Sequence, residues 1–216
     1  AVPRKTLISN NICVDNGFET GNTLAGGIYV SKSGNEQVIG NIVFNFKGSA
    51  ANTVGAITLN AANATSLKTL IKDNYIIDSL AHGISISTNC AGVVVDNNTI
   101  TGSVFSDIYW SANAGNAALG GHTICRNDIT RINTDEASIN LTAQASTNLT
   151  RVYGNTIKGS NKATVADTNA ALRTTAIGGA VNFCDNFVEN FYYGVYNSNF
   201  FAGTRITNAR FDRNTF

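Results

Sequence analysis

The chain has 216 residues and 22.8 kDa, a net charge of +1, and only 13% charged residues. So sparse and balanced a charge argues against nucleic acid or an anionic membrane surface as partner. No apolar run reaches the roughly 18 residues of a membrane span, and 43% apolar residues with many β-branched ones exclude disorder.

The N-terminal "AVPRKTLISNN" lacks the apolar core of a signal peptide. From there on one phrase recurs: apolar strand, Asn corner, apolar strand. Its copies are anchored on Asn10, Asn41, Asn74, Asn98, Asn127, Asn155, Asn186 and Asn214, 24 to 33 residues apart. Three residues before the anchors stand Leu7, Val38, Ile71, Val95, Ile124, Val152, Phe183 and Phe211. Two residues after them stand Ile12, Val43, Ile76, Ile100, Ile129, Ile157, Val188 and Phe216. Both columns are apolar in every copy, which a chain under half apolar does not produce by chance. Directly before the anchors come Ser9, Gly40, Asp73, Asn97, Arg126, Gly154, Asp185 and Arg213, mostly residues that tolerate positive φ.

A third element follows in most copies. "GIYV" (27–30), "GAITL" (55–59), "GISIS" (83–87), "DIYW" (107–110), "SINL" (138–141) and "GVYN" (194–197) alternate as strands do, and "ALRTTAIG" (171–178) fills the blurred copy. No helical period of adequate length is present. Units of this size cannot bury an apolar face alone, so they stack. Each strand then pairs with its counterpart in the next copy, about 4.8 Å away. Apolar columns line the interior, and the anchor amides hydrogen-bond from coil to coil. The spacing predicts an all-β fold: a single-stranded parallel β-helix of about seven coils, three short strands each, as one domain over residues 1–216.

This pattern resembles the right-handed parallel β-helix of the pectate-lyase-like superfamily, and the low-charge, Asn/Ser/Thr/Gly-rich texture resembles bacteriophage tailspikes and capsule depolymerases. The resemblance implies a bacterial surface polysaccharide as partner, a homotrimer of side-by-side helices, a place on a virion tail (or a secreted or cell-surface location), and no cofactor. The chain starts just before a second strand and stops just after an anchor, as a segment of a longer protein would. "NSNFFAG" (197–203) places Phe200 and Phe201 where one ring would point outward, toward a neighbouring copy.

The four cysteines form no Cys-x-x-Cys, and the chain has two histidines, so no metal site is expected. Cys125 and Cys184 share a column but stand two rises apart, about 9.6 Å, too far for the roughly 7 Å limit of a disulfide.

In β-helix enzymes of this resemblance the polysaccharide lies along the face of the first strand and its preceding loops, here the "GISIS" column. Alternation turns Ile84 and Ile86 inward and Gly83, Ser85, Asp107, Tyr109, Ser138, Asn140 and Tyr196 outward; Trp110 aligns with Ile86 and faces in. Glycoside hydrolysis needs two carboxylates flanking the bond. The candidates are Asp107 and the adjacent pair Asp135 and Glu136. Tyr109 and Tyr196 are stacking platforms, Arg131 a holder of an acidic sugar, and His82 and Asn140 polar contacts. Two further readings stand beside an endo-glycosidase: a non-catalytic binding or structural segment of a spike or adhesin, and a polysaccharide lyase or epimerase, with Arg131 or Arg173 as base.

Overall fold

The computed structural model of the chain describes residues 6–17, 26–31, 35–48, 54–60, 66–67, 69–87, 90–110, 121–132, 136–142, 149–160, 169–175, 181–197 and 210–216. Asp135, Phe200 and Phe201 lie outside them. Three parallel sheets hold nearly all the strands, and among the described residues there is no helix. The first sheet has eight strands, including Val94–Asp96; the second has seven, including Thr99–Thr101; the third has seven, including Ile108–Trp110. Each strand pairs with its own counterpart: Val95 lies between Ile71 and Ile124, and Ile100 between Ile76 and Ile129. The chain is therefore a parallel β-solenoid. A fourth, two-stranded ladder joins Ser66–Leu67 to Cys90–Ala91.

The β-branched columns explain the interior. Val38, Ile71, Val95, Ile124, Val152 and Phe183 are buried from the first sheet. Val43, Ile76, Ile100, Ile129, Ile157 and Val188 are buried from the second, and Ile57, Ile84, Ile108, Ile139 and Leu172 from the third. Each such side chain contributes about 1.5–3 kcal/mol by leaving water. The blurred copy forms the strand Ala170–Thr175, with Leu172 in register with Ile139. Trp110 faces the core as its alignment with Ile86 requires, and is 1% exposed.

The corner between the first two sheets turns on one left-handed residue per coil. Gly40, Asp73, Asn97, Arg126, Gly154, Asp185 and Arg213 have φ between 50° and 67°. Arginine gains nothing locally from that conformation, which costs an L-residue roughly 1–2 kcal/mol. Both arginines make a two-pronged contact there: Arg126 Nε and Nη2 donate to Asp96 at 2.8 and 2.7 Å, and Arg213 Nε and Nη2 to Asp185 at 2.6 and 2.8 Å. The Arg126 guanidinium holds the Asp96 carboxyl below the usual carboxylate range.

The anchor amides form a continuous column. The backbone N–H and the Nδ2 of Asn98 both donate to Asn127 Oδ1, at 2.9 and 3.0 Å. The same pair of bonds links Asn41 to Asn74, Asn74 to Asn98, Asn127 to Asn155, Asn155 to Asn186, and Asn186 to Asn214. One copy differs from the expected register. Its anchor is Asn11, which donates to Asn41 Oδ1, while Asn10 takes the left-handed position at φ 55°. Ile8 and Cys13 therefore occupy the inward columns, opposite Val38 and Val43. Leu7 and Ile12 point out, 61% and 71% exposed.

All four cysteines are free thiols. Cys125 and Cys184 flank Tyr153 in one column, one coil to either side.

His122 sets an acid limit on stability. It is fully buried against Trp110, ring centroids 4.2 Å apart at 73°, and its Nδ1 accepts a hydrogen bond from Val93 N–H at 3.2 Å. Burial disfavours the imidazolium and lowers its pKa to about 3. The unfolded chain takes up this proton near pH 6.5, the folded chain only near 3. Between these values the unfolded state binds more protons, so stability falls with decreasing pH by up to about 1.4 kcal/mol per unit. Asp107, whose pKa burial raises, contributes with the opposite sign at the acid end. Denaturant midpoints measured from pH 7 to 4 should fall more steeply for the wild type than for His122→Gln; equal slopes would refute the assignment.

Candidate functional site

The third sheet carries the candidate residues, and its register fixes their order. Ser85, Tyr109, Asn140, Arg173 and Tyr196 are direct neighbours in successive strands. They form one row with a step of about 4.8 Å, in which Ser85, expected to face solvent, is buried at 1% exposure. Residues on either side of this row close it into a groove of about 180 Å³, lined by His82, Phe105, Tyr109, Glu136, Asn140, Thr142 and Arg173. That volume is below the roughly 300–1,000 Å³ of pockets that enclose a whole small ligand. It fits a single ring, or one segment of a longer ligand lying across the coils.

The floor of the groove is aromatic at one end and charged at the other. The His82 and Tyr109 rings stack at 4.2 Å and 7°, and Phe105 tilts against His82 at 5.5 Å and 53°. His82 Nδ1 lies 3.3 Å from Ser106 O, which fixes the ring from beneath. Arg173 Nη1 approaches Glu136 Oε2 at 3.8 Å, a loose pair with both side chains partly exposed. Asn140 is 4% exposed, yet its Oδ1 has no hydrogen-bond partner among the described residues, and neither has Arg173 Nε. Thr142 Oγ1 donates to Trp110 O at 2.9 Å.

Some residues expected on this face lie elsewhere. Asp107 and Ser138 do not face out; both are 0% exposed. The chain is still turning into the sheet at this position, so simple alternation fails there. The aligned residues are Gly27, Ala56, Gly83, Ala171 and Gly194, and the crowding explains their size. A Cβ on Gly83 would meet Asp107 O at 2.6 Å and Ile100 Cγ2 at 2.8 Å. Asp107 is met on one oxygen: Oδ2 accepts from Ser138 Oγ at 2.9 Å and from Arg131 Nη1 at 3.4 Å, while Oδ1 has no hydrogen-bond partner among the described residues. Burial raises the Asp107 pKa, opposed by Arg131 and the Ser138 hydroxyl. Arg131, expected to hold an acidic sugar, is 1% exposed and donates from Nη1 to Phe105 O at 2.7 Å. The pair lies beneath the groove and anchors the segment that supplies Phe105.

The groove thus brings together His82, Tyr109, Asn140 and Glu136. Tyr196 stands one coil beyond Arg173 on the same row, packed on Tyr193 at 5.2 Å. Arg173, Phe105 and Thr142 line the groove without having been assigned to binding. Arg173 could have been found from its alignment with Tyr109 and Asn140 once the blurred copy was in register. Nothing local singles out Phe105.

Among the described residues no cluster of His, Cys, Asp and Glu could hold a metal ion, and no helix is long and apolar enough to cross a membrane. Comparison of the chain with protein-family models, curated proteins and solved structures gives no match.

Proposed function

We propose that the groove on the third sheet binds a polysaccharide running along the solenoid axis. The observation that carries this reading is the row Tyr109, Asn140, Arg173, Tyr196: an aromatic face, a buried amide, a cation and a second aromatic face on consecutive coils. A repeating polymer suits a surface that repeats at a fixed step. Sugar C–H faces pack on Tyr109 and Tyr196, and hydroxyls meet Asn140. A glycan array on the purified protein tests the reading. Tyr109→Ala should weaken the best ligand about tenfold or more, a loss of about 1.4 kcal/mol, in protein shown to be folded by a cooperative unfolding transition. An array on which no glycan binds would refute it.

Glu136 favours a hydrolytic form of the same reading. It is the carboxylate that lines the groove, and on this reading it protonates the leaving oxygen. Its partner in an endo-glycosidase would be Asp135, adjacent in sequence, with Asp107 in a positioning role. Glu136→Gln should then lower turnover of the polysaccharide by about two orders of magnitude or more, whereas a wild type that binds without releasing product is a binding module.

On this reading the chain serves as a tailspike-like domain on a virion or a cell-surface spike, assembled side by side as a trimer. One strip suits contact with a second copy: Ile12, Val14, Ile42, Phe44 and Tyr75, all exposed on the first three coils of the second sheet and carrying no charge to repel a like surface. Light scattering at micromolar concentration tests the assembly, and a monomeric intact protein would defeat it.

A further inference from the structure

We propose that the corner beneath the groove is a binding site for internal water, held by Arg131, Asp107, Ser103 and Ser106, and that this water is a fixed part of the fold.

Five buried polar atoms lead there: Asp107 Oδ1, Arg131 Nε, Arg131 Nη2, Ser103 Oγ and Ser106 Oγ, none with a hydrogen-bond partner among the described residues. They belong to one cluster. Arg131 Nη1 lies 3.4 Å from Asp107 Oδ2. The Ser103 hydroxyl stands close enough to the same carboxylate to stabilise its charge, and Ser106 directly precedes Asp107 in the chain. Folded proteins leave few buried polar atoms unpaired, so a concentration of them in one corner points to a ligand.

The neighbouring coils show what sets this level apart. Phe46, Ser79 and Ser103 stand in one column, since Leu80 N–H donates to Phe46 O and Val104 N–H to Ser79 O. All three are 0% exposed. Phe46 fills its level with a ring. Ser79 closes its hydrogen bonds locally: Oγ donates to His82 O at 2.8 Å and accepts from Ala81 N–H at 3.3 Å. Ser103 has the same side chain and makes neither bond. The acceptor that would match His82 O is Ser106 O, and it already receives Gly83 N–H at 3.1 Å and faces His82 Nδ1 at 3.3 Å.

Charge and hydrogen-bond type identify the ligand. Asp107 and Arg131 balance each other, so an ion would bring in a third charge with no counter-charge, at a large desolvation cost. The unpartnered atoms are of both kinds. Guanidinium N–H groups only donate, an ionised carboxylate oxygen only accepts, and hydroxyls do both. An anion would meet Asp107 Oδ1, and a cation would meet the guanidinium. Water serves both. An internal water makes about three hydrogen bonds, so the cluster requires at least two molecules. They complete the solvation of the pair whose Arg131 Nη1 holds Phe105 O at 2.7 Å, and so support one wall of the groove from below.

The test counts water. Magnetic relaxation dispersion of the water oxygen reports long-lived internal molecules in solution. The double variant Asp107→Ala, Arg131→Met should hold at least two fewer than the wild type. Ser103→Val, which keeps both charges and replaces the hydroxyl by methyls, should lose one or more and decides the matter if the double variant fails to fold. Ser79→Ala, in the same column but with local partners, should lose none. A cooperative unfolding transition verifies that each variant is folded. A high-resolution crystal structure of the whole chain should show ordered water bonded to Arg131 Nε, Arg131 Nη2 and Asp107 Oδ1. Equal counts in the wild type and in every folded variant would overturn the proposal. So would a crystal structure in which those atoms bond directly to protein, or an anomalous peak at Arg131 in crystals grown with bromide, which would make the ligand an anion.

Discussion

Asp107→Ala should destabilise the protein by about 3–5 kcal/mol, the range for removing one member of a buried ion pair. The cost arises chiefly from what is left behind. Arg131 stays 1% exposed with its counter-charge gone, and Ser138 Oγ loses its acceptor. Because Arg131 also holds Phe105 O, one wall of the groove should loosen with it. The double variant Asp107→Ala, Arg131→Met removes both charges and should recover most of the loss, since apolar replacements of whole buried pairs are often neutral or better. Denaturant midpoints of the single and double variants measure this. The double variant also separates two roles for Asp107. If the carboxylate touches substrate, the refolded double variant loses polysaccharide turnover by orders of magnitude. If it only positions the loop, turnover per folded molecule survives. Equal stability of Asp107→Ala and wild type would show that the pair contributes nothing.

Asn98→Ala should cost about 3 kcal/mol, the upper end for orphaned buried polar groups. The Asn98 amide serves two coils at once. Its Oδ1 accepts from Asn74 N–H at 3.0 Å and from Asn74 Nδ2 at 2.9 Å. Its Nδ2 donates to Ile71 O, Asp96 O and Asn127 Oδ1. Alanine leaves the buried Asn74 N–H with no acceptor and weakens the carbonyls of two strands. Ser160→Ala, on an exposed polar residue outside the column, should cost less than about 0.5 kcal/mol. Coincident urea midpoints for the two variants would count against the column.

These buried positions differ in how readable they were. Asn98 stands between Val95 and Ile100 in a phrase that repeats through the chain, and repetition converts a local pattern into a three-dimensional one: a column in sequence is a column in space. The same logic placed Trp110 inside. It slipped at the first copy because both possible registers look alike there. Asn10 and Asn11 are both asparagine, Leu7 and Ile8 are both apolar, and only the backbone conformation distinguishes them. Asp107 was misplaced for a different reason. Alternation holds within a strand but not where the chain bends into one, and the small residues aligned with it (Gly27, Ala56, Gly83) are the sign of that bend. The burial of Arg131 was not legible at all, since its partner lies 24 residues away on the neighbouring coil. Arg173 was hidden by the copy whose alternation is weakest. The fold is a property of the repeats, whereas the groove is built where the repeats depart from one another.

The asparagine column also has a direction. In every link the N–H groups belong to the earlier coil and the oxygen to the later one, from Asn11 through to Asn214. Each Oδ1 therefore faces the Asn11 side, whereas Nδ2 donates both onward to the next amide and back to a carbonyl of the preceding coil. Hydrogen bonds in a chain polarise one another. The amide-to-amide bonds thus run in one sense along the column, and a coil inserted in the reverse sense would set oxygen against oxygen.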